Sequence, residues 1–228
     1  MSTYDFNDGN GPVPAHKHPN GGGWVADTAT VAESAYVGPD ARVTGNAHVS
    51  GNARVYGNAQ VSGNAQVFGN AYVSGNAQVY GDALVYDNSV VYDGNARVFG
   101  NARVFGEAQV SGNARVFGNA LVSGNAKVCN NALVSDYAIV SGYALVSGDA
   151  EVYGNTQVYG DAVVSDYVEH KENKNMVEED KVIAWMESAF TAINNAHGNP
   201  KSILEKLPKD LKETLIRNDI HFVYKGKG

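Results

Sequence analysis

An all-β solenoid of about eight triangular coils, followed by a small helical region, is what this sequence predicts, on three observations. The triplet Gly-Asn-Ala occurs eleven times, starting at Gly45, Gly51, Gly57, Gly63, Gly69, Gly75, Gly94, Gly100, Gly112, Gly118 and Gly124. Valine falls on every sixth residue from Val25 to Val91 and again from Val98 to Val164, twelve in each run, which makes 24 units. At Tyr167 the repeat stops and the composition changes. A fixed internal period is the strongest statement a sequence makes about its fold.

The unit explains itself. In Ala59-Gln60-Val61-Ser62-Gly63-Asn64, Ala59 and Val61 are two apart and share one strand face, while Gln60 and Ser62 point the other way. Gly63 and Asn64 form the corner: glycine tolerates positive φ, and asparagine visits the left-handed region at the lowest cost among ordinary residues. With three units to a turn each coil takes 18 residues, and eight coils stacked at about 4.8 Å make a prism roughly 38 Å long.

Val-x-Gly-Asn-Ala-x resembles the hexapeptide repeat of left-handed parallel β-helices (the transferase hexapeptide type), with aliphatic residue, corner pair and small residue in the same relative places. The resemblance implies a left-handed coil. The periodicity does not, since ordinary parallel crossovers are right-handed. Many members of that family are acyltransferases, often trimeric. Others, including uncharacterised Gly-Asn-Ala-rich bacterial and phage proteins, carry no obvious catalytic apparatus.

Taken in order, residues 1–23 are a loop or cap. They hold Asp5, Asp8, Gly21-Gly22-Gly23, Pro12, Pro14 and Pro19, which is loop chemistry, and their expected task is to cover the open backbone edge of the first coil. His16-Lys17-His18 offers two metal ligands, but no third follows with a recognisable spacing, so no metal is expected. The repeat domain spans 24–166. It is imperfect at first, with Thr28, Ser34 and Asp40 at the asparagine position, and its one change of spacing, seven residues between Val91 and Val98, places an extra residue, Asp93, at a corner. Residues 167–175 are a charged linker. In the C-terminal region, 176–228, Val182, Trp185, Met186, Ala189, Phe190 and Ile193 recur at helical spacing, and Gly198 with Pro200 stops the helix. A second helical stretch begins at Ser202 and is split by Pro208. Capping the last coil, oligomerising and docking a partner are its three candidate tasks.

The formal charge of −7 argues against nonspecific nucleic-acid or membrane binding. The acidic start lacks the basic and apolar regions of a leader, and the single cysteine, Cys129, allows no internal disulfide. A cytoplasmic protein is expected.

The period of 18 sorts the outward side chains onto three walls. One carries Tyr80, Phe99 and Phe117 beside Gln78, Arg97 and Arg115. The next carries Phe68, Tyr86 and Phe105 beside Leu84 and Arg103, continued by Leu121 and Ile139. The third is mixed, with Tyr56, Tyr72, Val90 and Tyr92 early and Ser111, Cys129, Ser147 and Ser165 late. Such ladders expose more apolar surface than a soluble monomer usually leaves wet, although stacking along neighbouring strands also favours aromatics. Phe68, Leu84, Tyr86, Phe105, Leu121 and Ile139 are the expected oligomer interface, a trimer by resemblance, with the C-terminal helix as competitor for the same wall. Arg97, Phe99, Arg115 and Phe117 are the expected site for a protein partner, because arginine and aromatic residues suit binding hot spots.

For catalysis the resemblance implies a histidine base near a subunit junction and a loop covering coenzyme A. The repeat offers only His48, at an outward position with no acidic partner or nucleophile by spacing, and no extended loop. Ice binding would need ranks of threonine. No catalytic residue and no cofactor is expected. The leading reading is a noncatalytic, rigid, self-associating protein that presents a repetitive surface to a protein partner, as a phage accessory protein blocking a host factor would. A hexapeptide-repeat acyltransferase is the alternative, and capture of a small anion between subunits by Arg97, Arg103 and Arg115 is a third reading.

Overall fold

The computed structural model describes residues 2–165. The chain divides into two units, Met1–Val168 and Glu169–Gly228, and the description concerns the first. The expected C-terminal helices, with Trp185, Met186 and Phe190, lie outside the described residues.

From Trp24 to Val164 the chain is a parallel β-solenoid. Its 24 short strands fall into three parallel walls of eight, each strand pairing with those three before and three after it. That order is the three-unit coil the hexad predicts. Val25 lies over Val43, Val43 over Val61 and Val61 over Val79. The valines and the alanines two residues before them are buried almost without exception and form one continuous core. The core weakens only towards its ends, where Val31 and Val164 are half-buried.

Among the described residues two small inward positions are polar: Thr156, half-buried, donates its hydroxyl to the Tyr153 carbonyl at 2.7 Å, and Ser89 is the other. Ser89 replaces the usual alanine and is fully buried, and its hydroxyl lies 2.8 Å from the carbonyl oxygen of Tyr86 and 3.2 Å from that of Val104. A buried hydroxyl so placed avoids the cost of an unmet hydrogen bond.

The corners divide their labour differently from expectation. Glycine takes the left-handed conformation, at φ 68° for Gly63 and φ 67° for Gly75. The asparagine after it does not: Asn64 and Asn76 are absent from the positive-φ residues. Its backbone N–H instead donates to the glycine carbonyl one coil on, as from Asn64 to Gly81 at 2.8 Å. Its side chain stacks on the next asparagine. Asn52 Nδ2 donates to Asn70 Oδ1 at 3.3 Å and Asn70 Nδ2 to Asn88 Oδ1 at 3.1 Å, and such ladders run along all three edges. Asparagine is therefore selected here by its carboxamide rather than by its backbone preference.

Where glycine is missing from the left-handed position, aspartate or asparagine replaces it, at Asp87, Asp93, Asn130 and Asp136. Two of these carboxylates accept a hydrogen bond from the corner amide of the next coil, Asp87 from Gly106 at 3.2 Å and Asp136 from Gly154 at 3.1 Å. The extra residue at Asp93 is absorbed as expected. Asp93 stacks on Gly75 below and Gly94 on Gly112 above, both with positive φ. Pairing across the insertion runs Gln78 to Arg97 and Leu84 to Arg103, after which the spacing of 18 resumes. An insertion within a strand would have turned the valines outward; at a corner it leaves them in the core.

The N-terminal segment expected to be loop holds two strands. β1 (Thr3–Asp5) and β2 (Pro12–Lys17) form an antiparallel hairpin, and β2 pairs antiparallel with β3 (Trp24–Ala26), the first strand of the solenoid. Phe6, Ala15 and Ala26 form a small second core against Tyr4, Val13 and Trp24, and Tyr4 stacks on Trp24 at 4.5 Å. The following turn covers a second edge. Val37 donates to the Asn20 carbonyl at 3.0 Å, Gly23 donates to the Val37 carbonyl at 2.9 Å, and Asn20 Nδ2 reaches the Ala35 carbonyl at 2.9 Å. Covering exposed strand edges blunts unwanted pairing, and here backbone hydrogen bonds do it.

Candidate functional site

The outward residues sort onto the three walls as the period of 18 requires. On the first, Gln78, Arg97 and Arg115 occupy successive register positions, and beside them the rings of Tyr80, Phe99 and Phe117 stack at 4.8 and 4.9 Å, within 2° of parallel. On the second, Leu84, Arg103, Leu121 and Ile139 follow one another, next to Phe68, Tyr86 and Phe105 stacked at 4.9 and 5.0 Å and within 4° of parallel. Parallel β pairing places equivalent side chains at one strand spacing, so planar rings have little choice but to stack. The stacking half-buries all six rings in the single chain, and their edges form the outer surface.

The electrostatics are simple. Arg97, Arg103 and Arg115 make no ion pair among the described residues, where the one ion pair present joins His16 Nδ1 to Asp27 Oδ1 at 2.8 Å. Arg97 and Arg115 are adjacent cations on one wall, free to meet an anion. Burial pushes the pKa of the Tyr86 phenol up, Asp87 adds to the rise and Arg103 opposes it. The phenol therefore stays neutral through the physiological range, as a ring in a stack should.

The histidines separate from one another. His48 is half-buried on the second wall, between Thr30 and Gln66, and its side chain makes no hydrogen bond among the described residues. Of the pair in β2, His16 is exposed and held by Asp27. His18 is buried, and its Nδ1 donates to the Asn20 carbonyl at 3.1 Å. No group of three or more metal-ligating side chains converges among the described residues.

A family model described as the YdcK beta solenoid repeat matches residues 47–63, 59–75, 77–93, 108–124 and 114–130. The chain is a repeat β-solenoid protein. None of the curated proteins matches it. The matched stretches lie on both sides of the Asp93 corner, consistent with a solenoid that continues through the insertion with its core unchanged.

One feature of the third wall escaped sequence reading. Tyr36, Arg54, Tyr72 and Val90 are register neighbours, and with the Asn52, Asn70 and Asn88 ladder they line an open groove of about 600 Å3. The spacing of 18 places these residues on one wall. The closure of one end by Asn20 could not be read from any period.

Among the described residues no helix is long and apolar enough to cross a membrane.

Proposed function

We propose that this protein is a noncatalytic scaffold that self-associates through its second wall and offers its first wall to a protein partner. The observation that carries the reading is the pair of ring columns, each flanked by a different set of side chains. On the second wall the flanking residues are Leu84, Leu121 and Ile139, with Arg103 among them; on the first they include Arg97 and Arg115, which have no ion-pair partner among the described residues. Mostly apolar flanks favour an interface between copies, where burial at about 25 cal/mol per Å2 accumulates over a flat face. Cationic and aromatic flanks favour recognition. The continuous dry core makes the framework stiff, and neither reading needs a reactive group. A trimer is the assembly that the hexapeptide resemblance suggests. Sequestration of a host factor by a phage protein in a reducing, cytoplasmic setting is the biological form the Gly-Asn-Ala phrase suggests.

The test is the joint substitution Phe105→Lys and Leu121→Lys. Both residues are outward, so circular dichroism should show the solenoid still folded, while association should weaken by several kcal/mol through lost apolar burial and like-charge repulsion. Light scattering on the full chain should give a trimer for the wild type and a monomer for the double variant. A monomeric wild type removes the self-association reading, and an assembled double variant moves the interface to another wall. Arg97→Ser with Arg115→Ser should leave the assembly intact and weaken partner capture.

A further inference from the structure

We infer that the groove on the third wall is a binding site for a short acidic oligosaccharide, a function separate from the assembly and partner walls. The groove runs along the solenoid axis over about three coils. It is lined by the strand residues Tyr36, Arg54 and Tyr72 and by the corner ladder of Asn52, Asn70 and Asn88. Among the described residues no carboxylate lines it, although the chain as a whole carries a formal charge of −7.

Each carboxamide offers two N–H donors and two acceptor lone pairs. In the ladder, Asn70 donates once to Asn88 and accepts once from Asn52, so it keeps one donor and one acceptor. This pairing repeats at the coil spacing of about 4.8 Å. A sugar hydroxyl is a donor and an acceptor at once, which is the complement of such a row. Aromatic side chains among convergent polar groups are what binding sites for small polar ligands present, and Tyr36 supplies a ring against which the apolar C–H face of a sugar can lie.

The charge comes from Arg54. Its guanidinium carbon lies over the Tyr72 ring, 5.6 Å from the centroid, and it makes no ion pair among the described residues. Held on an aromatic face, a guanidinium keeps its planar fork of donors free for a carboxylate. A uronic acid unit therefore fits at Arg54, with neighbouring hydroxyls on the asparagine row. An extended peptide fits less well, because strand addition needs free backbone groups and the strands beneath the groove are paired on both sides. Nucleic acid would need a series of cations to neutralise its phosphates, and among the described residues Arg54 is the one cation lining the groove.

The test is calorimetric titration of the full chain with trigalacturonic acid, with maltotriose, AMP and inorganic phosphate as comparison probes. Trigalacturonic acid should bind saturably, one per chain, and at least tenfold more tightly than each of the others. Arg54→Gln should weaken that binding at least tenfold, and Arg54→Lys, which keeps the charge and loses the fork, should fall between. Arg115→Gln, on another wall, should leave it unchanged, and circular dichroism should show all the variants folded. No saturable binding of trigalacturonic acid at millimolar concentration, equal affinity in Arg54→Gln, or equally tight binding of AMP or phosphate would each overturn the assignment. Loss of assembly in the Phe105 and Leu121 variant should leave this binding intact, so the two functions fail independently.

Discussion

Val104→Asp should abolish stable folding of the solenoid. Val104 is fully buried in the middle of the stack, in register with Val85 below and Val122 above. A carboxylate there meets only alkyl groups and already-paired backbone. It must remain charged in a dry interior or take up a proton at a large cost, and either route costs several kcal/mol. A loss on the order of 4 kcal/mol or more is comparable to the whole stability of many domains. In a stacked repeat each coil contacts only its neighbours, so a central defect also uncouples the two halves. Thermal melting by circular dichroism should show no single cooperative transition near the wild-type midpoint. Val164→Asp, at the half-buried final valine, should be much milder. A normal melt for Val104→Asp would contradict the inward valine column.

Gly63→Ala should be the second most damaging change, by roughly 2–3 kcal/mol. Gly63 has φ 68°, a conformation that costs an ordinary residue about 1–2 kcal/mol. In addition, a Cβ there would lie 2.9 Å from the backbone nitrogen of Gly81 and 3.0 Å from its carbonyl oxygen, so the coils would have to separate at that edge. Gly160→Ala separates the two causes. Its φ is 64°, yet no described residue lies within 4 Å of the added carbon, so about 1 kcal/mol of strain should remain. Gly63→Asp should lose less than Gly63→Ala, because the carboxylate can accept the next corner amide as Asp87 and Asp136 do. Denaturant midpoints of the three variants check the order, and equal losses for the alanine variants at Gly63 and Gly160 would show that crowding contributes nothing.

The self-association and oligosaccharide readings rest on side chains that the core does not need. Substitutions at Phe105, Leu121 and Arg54 should therefore alter binding while leaving the solenoid folded, whereas those at Val104 and Gly63 should damage the fold itself. That separation follows from the unit itself, in which inward and outward positions alternate at every strand.

The number of coils, the inward valines, the assignment of residues to walls and the absorption of Asp93 at a corner were all legible in the amino-acid pattern. The period is short and each unit must bury the same two residues, so local spacing fixes global position. Ring stacking was nearly as legible, since side chains 18 residues apart have one strand spacing between them. The rest depends on contacts between parts of the chain that local preferences do not encode. Asparagine's place at the corner is explained by a partner a full coil away, as in Asn52 and Asn70, whereas its backbone preference suggested a left-handed residue. The N-terminal prolines and glycines read as loop, yet β2 is held as a strand because β3 presents an unpaired edge and the cost of leaving it open outweighs local propensity. The groove at Arg54 needs Asn20 at its end, and Asn20 is held there by the edge at Ala35 and Val37. No periodicity encodes such a contact, because it joins a segment outside the repeat to one within it.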